Sequence, residues 1–152
     1  MNKKQVNIVL ADDDADDCFF FEKALKEIPI KTNLTIVRDG EQLMNYLLEN
    51  ISGDGRPDII FLDLSMPRKT GVECLTEMKD NITLKDIPVV MFSTSYTQDF
   101  NYELGMISVL YKLGVQDYIR KPGTIAELKE LILHSLQKVI KESRLNLQEI
   151  IL

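Results

Sequence analysis

Asp63 stands directly after four consecutive apolar residues, Ile59, Ile60, Phe61 and Leu62, and before a loop punctuated by Pro67 and Gly71. Such a run reads as a strand buried on both faces, and open α/β sheets place their sites just beyond the carboxyl ends of their strands. Capping of the next helix competes as an explanation for Asp63, but that cap belongs nearer Thr70. A second acidic group follows another apolar run: residues 6–11 lead into Asp12, Asp13, Asp14, Asp16 and Asp17. Asp14 suits an N-cap, and Asp16 and Asp17 suit the positive end of a helix dipole. Capping leaves Asp12 and Asp13 unexplained. Converging carboxylates repel, so at least one should have a raised pKa unless a cation is present. A hard divalent ion removes the conflict, and an all-oxygen set suits Mg²⁺, which keeps several of its waters. An open position on that ion beside a carboxylate suits an incoming phosphoryl group with the carboxylate as nucleophile. Two further strand ends supply complementary groups, a hydroxyl on Ser93 and a compact ammonium on Lys121. Alone, Ser93 is an ordinary turn serine, Lys121 a solvated lysine and Tyr118 a half-buried strand aromatic. Their coincidence at separate strand ends is the signal.

The elements that must position these residues alternate along the chain. Strands are expected at 6–11, 34–37, 59–62, 88–92 and 116–120, all short and the first four largely apolar. Helical spacing begins near Asp14, with Phe20, Phe21, Ala24, Leu25 and Ile28. It resumes after Asp39-Gly40, with Leu43, Tyr46 and Leu47, and after Gly71, with Val72, Leu75 and Met78. Residues 97–113 are helical but irregular. The last helix starts near Thr124, where Glu127 completes the spacing of a capping box, and it carries Leu128, Leu131, Ile132, Leu136, Val139 and Ile140. Five strands alternating with five helices give a doubly wound, flavodoxin-like α/β fold with a parallel sheet. Right-handed crossovers favour the order 2-1-3-4-5. That order makes the first and third strands neighbours, so Asp12, Asp13 and Asp63 converge. His134, within the last helix, is read as structural or surface, and Met66, Met78 and Met91 as core or loop filler.

Composition narrows the partners. The 152 residues fit one domain with a real core, and 45% hydrophobic with 28% charged residues is ordinary for a globular protein. Eighteen Lys+Arg against 24 Asp+Glu give −6, which argues against nucleic-acid binding through a generally basic surface. Cys18 and Cys74 are too few for a disulfide framework and lack metal-ligand spacing, so both read as free thiols. Neither a signal peptide nor a membrane span is read in the sequence, and a cytoplasmic location is expected.

With the acidic pair, the strand-end Asp, the hydroxyl and the lysine in place, the chain resembles the receiver domain of two-component response regulators, similar to the chemotaxis regulators. The resemblance covers about residues 6–140. It implies that Asp63 accepts a phosphoryl group from a sensor histidine kinase, that Asp12 and Asp13 hold Mg²⁺ with Asp63, and that the Ser65 carbonyl is a backbone ligand. Ser93 then stands at the family's Ser/Thr position, Tyr118 at its aromatic switch and Lys121 at its lysine; the Lys121–Pro122 bond is cis in that family. Asp39-Gly40, residues 67–71 and residues 88–95 look closest to short, stand-alone regulators associated with phytochrome-type kinases. The implied function is that of a phosphoacceptor signalling protein rather than an enzyme. It would control a downstream protein target through the face of the fourth helix, fifth strand and fifth helix.

The chain also departs from the family pattern. Between Ser93 and Tyr118 it is longer than usual and carries a near-duplicate, Tyr102-Glu103-Leu104-Gly105 and Tyr111-Lys112-Leu113-Gly114. A tolerated surface insertion competes here with altered partner choice or dimerisation. Residues 1–143 are read as the receiver domain. Residues 144–152 are too short for an output domain. Their apolar side chains suit either an extension of the last helix into a dimer or partner contact, or disorder. Ser65 and Ser95 occupy places that influence phosphoryl lifetime in the family. A dehalogenase-type phosphatase is disfavoured because Ser65 stands where its second Asp belongs. A flavodoxin-type cofactor binder is disfavoured because Asp12-Asp13-Asp14 would repel a phosphate.

Overall fold

A computed structural model describes residues 4–94, 100–143 and 145–152. Ser95 and the expected start of the fourth helix at Thr97 lie outside the described residues. The element order is β1 (Val6–Ala11), α1 (Ala15–Lys26), β2 (Thr32–Val37), α2 (Gly40–Glu49), β3 (Ile59–Leu62), α3 (Gly71–Lys79), β4 (Val89–Ser93), α4 (Phe100–Lys112), β5 (Asp117–Arg120), α5 (Ile125–Glu142) and α6 (Leu147–Ile150). All five strands are parallel in the order β2-β1-β3-β4-β5, as the sequence implies, and a short sixth helix is added.

The unbroken apolar runs explain why β1, β3 and β4 are central. Every residue of the three is buried, because helices cover both faces and no side of these strands meets water. One face packs Phe21, Leu25, Leu128, Ile132 and Leu136 of α1 and α5 onto Ile8, Leu10, Phe61 and Phe92. The other packs α2, α3 and α4 through Leu43, Leu47, Leu75, Met78 and Leu110. Phe21, Phe61 and Phe92 meet edge to face at centroid distances of 5.0–6.5 Å, forming an aromatic floor under the sheet's carboxyl end. Of the apolar residues at helical spacing in α1, Phe20 is substantially exposed, since one residue of helical rotation carries it off the face that Phe21 occupies.

Caps fall where the sequence places them. Asp14, Asp39, Thr70 and Thr124 each accept a hydrogen bond from the backbone N–H three residues on. Thr70 and Glu73 form a full capping box. The cap at Thr70 leaves Asp63 unused by helix α3. Both copies of the duplicated tetrapeptide lie at α4: the first is internal to it and the second terminates it. Gly114 adopts φ +100° while its N–H and that of Val115 donate to Tyr111 and Leu110 O, closing the last turn.

The tail does not lengthen α5. Ser143 is extended, and the chain turns back so that Ile151 bridges Ile30 in antiparallel sense. Lys31 N donates to Ile150 O at 2.5 Å, Leu152 N donates to Pro29 O, and Ile150 is fully buried.

Candidate functional site

Parallel register carries the candidate residues to one level. Ala11 pairs with Leu62, so the next residues, Asp12 and Asp63, emerge side by side, and Asp63 N donates to Ala11 O at 3.0 Å. Ser93 pairs with Arg120, and Lys121 N donates to Ser93 O, which brings Lys121 over the same edge. Asp12, Asp13 and Asp63 each offer a carboxylate oxygen within 4.8 Å of the others. Asp12 is fully buried, Asp63 is 6% exposed and Asp13 faces solvent.

Lys121 Nζ lies 2.7 Å from Asp12 Oδ2, 2.8 Å from Asp17 Oδ2 and 3.6 Å from Asp63 Oδ2. The ammonium therefore sits among three carboxylates and above the Phe92 ring, 5.3 Å from its centroid. Its hydrogen bond to Asp17 is well formed. Asp12 Oδ2 is the nearest of the three, and that shared ammonium is its one neighbouring donor among the described residues. Asp12 Oδ1 is held by the Asp14 N–H at 2.9 Å, and Asp63 Oδ1 by the Ser65 N–H at 3.3 Å.

The electrostatic conflict anticipated for converging carboxylates is present. Burial pushes the Asp63 carboxyl up to about 6; Lys121 pulls it down and Asp12 pushes it up again. Burial also raises Asp12, opposed by Lys121. Desolvation lowers Lys121, but the Asp12, Asp17 and Asp63 carboxylates around it together outweigh that and raise it. Cys18 and Cys74 are buried and pushed up to about 11 and about 12, chiefly by desolvation, which makes them poor nucleophiles.

Ser93, almost fully buried, donates its hydroxyl to Thr94 O at 3.3 Å. It shares a cavity of about 450 Å³ with Ser65, Val72, Met106 and Tyr118. Tyr118 is half-buried; burial and the Glu103 carboxylate beside it raise its phenol pKa. Glu103 in turn pairs with Arg120, tying α4 to β5. The loop after Asp63 is held from behind. Gly71 N donates to Leu64 O at 3.0 Å, and a Cβ on Gly71 would lie 2.3 Å from Asp63 O. Arg68, at φ +70°, reaches Asp39, the cap of α2, at 3.3 Å.

A divalent cation fits this donor set. Three carboxylate oxygens converge, all ligands are hard oxygens, and the buried Asp12 oxygen has only the shared Lys121 ammonium beside it. The Lys121–Pro122 bond, expected cis, is trans, as are the other described peptide bonds. Trans is the intrinsically preferred isomer, and from it Lys121 already reaches Asp12 and Asp17.

Sequence reasoning missed Asp17. Dipole complementarity explained that residue adequately, yet its side chain enters the site. The available signal was its place four residues before Phe21 and seven before Ala24, at the head of the buried stripe of α1.

The chain is similar to proteins of known family and fold. The family described as response regulator receiver domain matches residues 8–133. Response regulator Rcp1 of Synechocystis sp. is 34% identical over 127 residues, covering 82% of each chain. The crystal structure of the Mn²⁺-bound form of Rcp1 superposes with TM-score 0.73 at 31% identity, covering 93% of this chain and 99% of that one. The phosphorylated cyanobacterial phytochrome response regulator RcpA gives TM-score 0.73 at 32% identity, covering 91% and 96%.

Proposed function

The chain belongs to the response regulator receiver domain family of two-component signalling, and from that premise we propose that it is a stand-alone regulator phosphorylated on Asp63 by a phytochrome-type histidine kinase. The observation that carries this reading is the cluster itself: Asp12, Asp13 and Asp63 oxygens within 4.8 Å, with Lys121 Nζ 3.6 Å from Asp63. A carboxylate oxygen of Asp63 attacks the phosphorus of a phosphohistidine. The P–N bond breaks as the P–O bond forms, and the imidazole leaves with the electron pair. Asp12 and Asp13 would hold Mg²⁺ with Asp63 and the Ser65 carbonyl, and the ion supplies charge neutralisation at the phosphoryl oxygens. Lys121 pairs with one of those oxygens, and the Ser93 hydroxyl turns from Thr94 O toward another.

The output follows from space and charge. Rotation of Ser93 opens its side of the 450 Å³ cavity, Tyr118 turns inward from Glu103, and the α4–β5–α5 face repacks for a downstream protein target or a homodimer. The net charge of −6 supports a protein partner over nucleic acid. No helix is long and apolar enough to cross a membrane among the described residues.

Incubation with Mg²⁺ and acetyl phosphate, read by intact mass, tests the chemistry. A labile adduct on the wild type and none on Asp63→Asn is the expected result. An adduct retained by Asp63→Asn overturns the assignment.

A further inference from the structure

Three carboxylates surround one ammonium at the sheet's carboxyl end, at graded distances. Lys121 Nζ lies 2.7 Å from the buried Asp12 Oδ2, donates to Asp17 Oδ2 at 2.8 Å, and stands 3.6 Å from Asp63. The last distance is beyond a hydrogen bond. Asp17 is fixed for this task by its backbone: its N–H is capped by Asp14 Oδ1 at 3.0 Å, which locks the first turn of α1 and aims the side chain over the site. Beside the pair lies a cavity of about 440 Å³ lined by Asp17, Phe20, Phe92, Lys121 and Leu128. That space leaves the ammonium free to swing between acceptors.

We propose that Asp17 is a positioning residue that holds the Lys121 ammonium off Asp63 at rest, and that a phosphoryl group on Asp63 must draw the ammonium from it. This rests on the reading of Asp63 as the phosphoacceptor. A phosphoryl group carries more negative charge than a carboxylate and presents three acceptor oxygens, so it wins the ammonium, but against the Asp17 bond. Asp17 thereby sets how strongly the resting state resists activation.

Beryllofluoride, formed from beryllium chloride and fluoride at saturating Mg²⁺, is the probe, with binding followed by isothermal titration calorimetry. Asp17→Asn is expected to bind it roughly fivefold more tightly, the scale of one partly buried charge pair. Asp17→Glu, which retains a carboxylate able to reach Lys121, is expected to return the affinity to near the wild-type value. Asp16→Asn removes a neighbouring first-turn carboxylate with no bond to Lys121 and is expected to change nothing. Unchanged or weaker binding by Asp17→Asn overturns the proposal, and so does equal tightening by Asp16→Asn. Melting curves confirm that each variant is folded; if Asp17→Asn is not, Asp17→Ala carries the same expectation. Wild type that binds no beryllofluoride defeats the phosphoacceptor reading instead, a result distinct from either failure of the tether.

Discussion

Buried polar groups sit at both ends of the central strands, and the two ends treat them oppositely. At the amino end, Asn7 is finished: its N–H donates to Asp58 Oδ2 at 2.8 Å, and its amide donates to Asp54 O and Arg56 O. Its own carbonyl accepts from Asp58 N at 2.8 Å. At the carboxyl end, Asp12, Asp17 and Asp63 share one ammonium, and burial pushes Asp63 up to about 6. Satisfied groups fix a structure, whereas unsatisfied ones raise its energy until a ligand arrives. The same sheet thus has a structural end and a receptive end.

The largest test of that contrast removes the cation. Lys121→Met leaves Asp12, Asp17 and Asp63 without their ammonium and is expected to cost about 3–5 kcal/mol in denaturant unfolding at pH 8. The loss should shrink toward pH 5, where the carboxyls take up protons. A pH-independent loss would mean that Lys121 acts by packing rather than charge.

Next in size is the pH response of the metal-free protein. The folded Asp63 carboxyl titrates near 6 against an ordinary 3.8, so the folded state binds its proton more tightly than the unfolded chain. Stability is therefore full below about pH 4, falls as pH rises from about 4 to 6, and levels off above, by up to about 3 kcal/mol. Asp12 acts in the same sense. Asp63→Asn should flatten most of this fall, and Mg²⁺ should offset it in wild type. Urea midpoints across pH, with and without Mg²⁺, read both effects.

At the finished end, Asn7→Ala strands Asp54 O and Arg56 O and should cost about 1–3 kcal/mol, equally at every pH and regardless of Mg²⁺. A Mg²⁺-dependent penalty would break the division between the ends. Smallest is Arg120→Ala. It removes a partly exposed pair with Glu103 and should change stability by less than about 1 kcal/mol, while altering the amide shifts of α4 on beryllofluoride binding.

Much of this was legible because each central site residue ends a strand, three of them an apolar run. Asp12 follows β1, Asp63 follows β3, Ser93 closes β4 and Lys121 follows β5, so strand assignment and sheet order together brought them level. What stayed hidden had a sufficient local explanation or a distant cause. Asp17 was accounted for by the α1 dipole, and nothing local says that a side chain 104 residues away needs it. The return of the tail depends on Ile151 meeting Ile30, a pairing that no nearby pattern encodes. The helical reading of residues 97–113 ends within one residue of α4 at Lys112, and the left-handed Gly114 shows what stops it.

Gly71 has a mechanical corollary. Its missing side chain lets the start of α3 rest on the Asp63 carbonyl, backbone against backbone, with no compressible layer between. Any displacement of the main chain at Asp63 is thus transmitted to α3 as to a rigid lever. Across the sheet edge, α4 borders a void and feels the same event through side chains alone. The two neighbouring helices are coupled to one residue through linkages of very different stiffness.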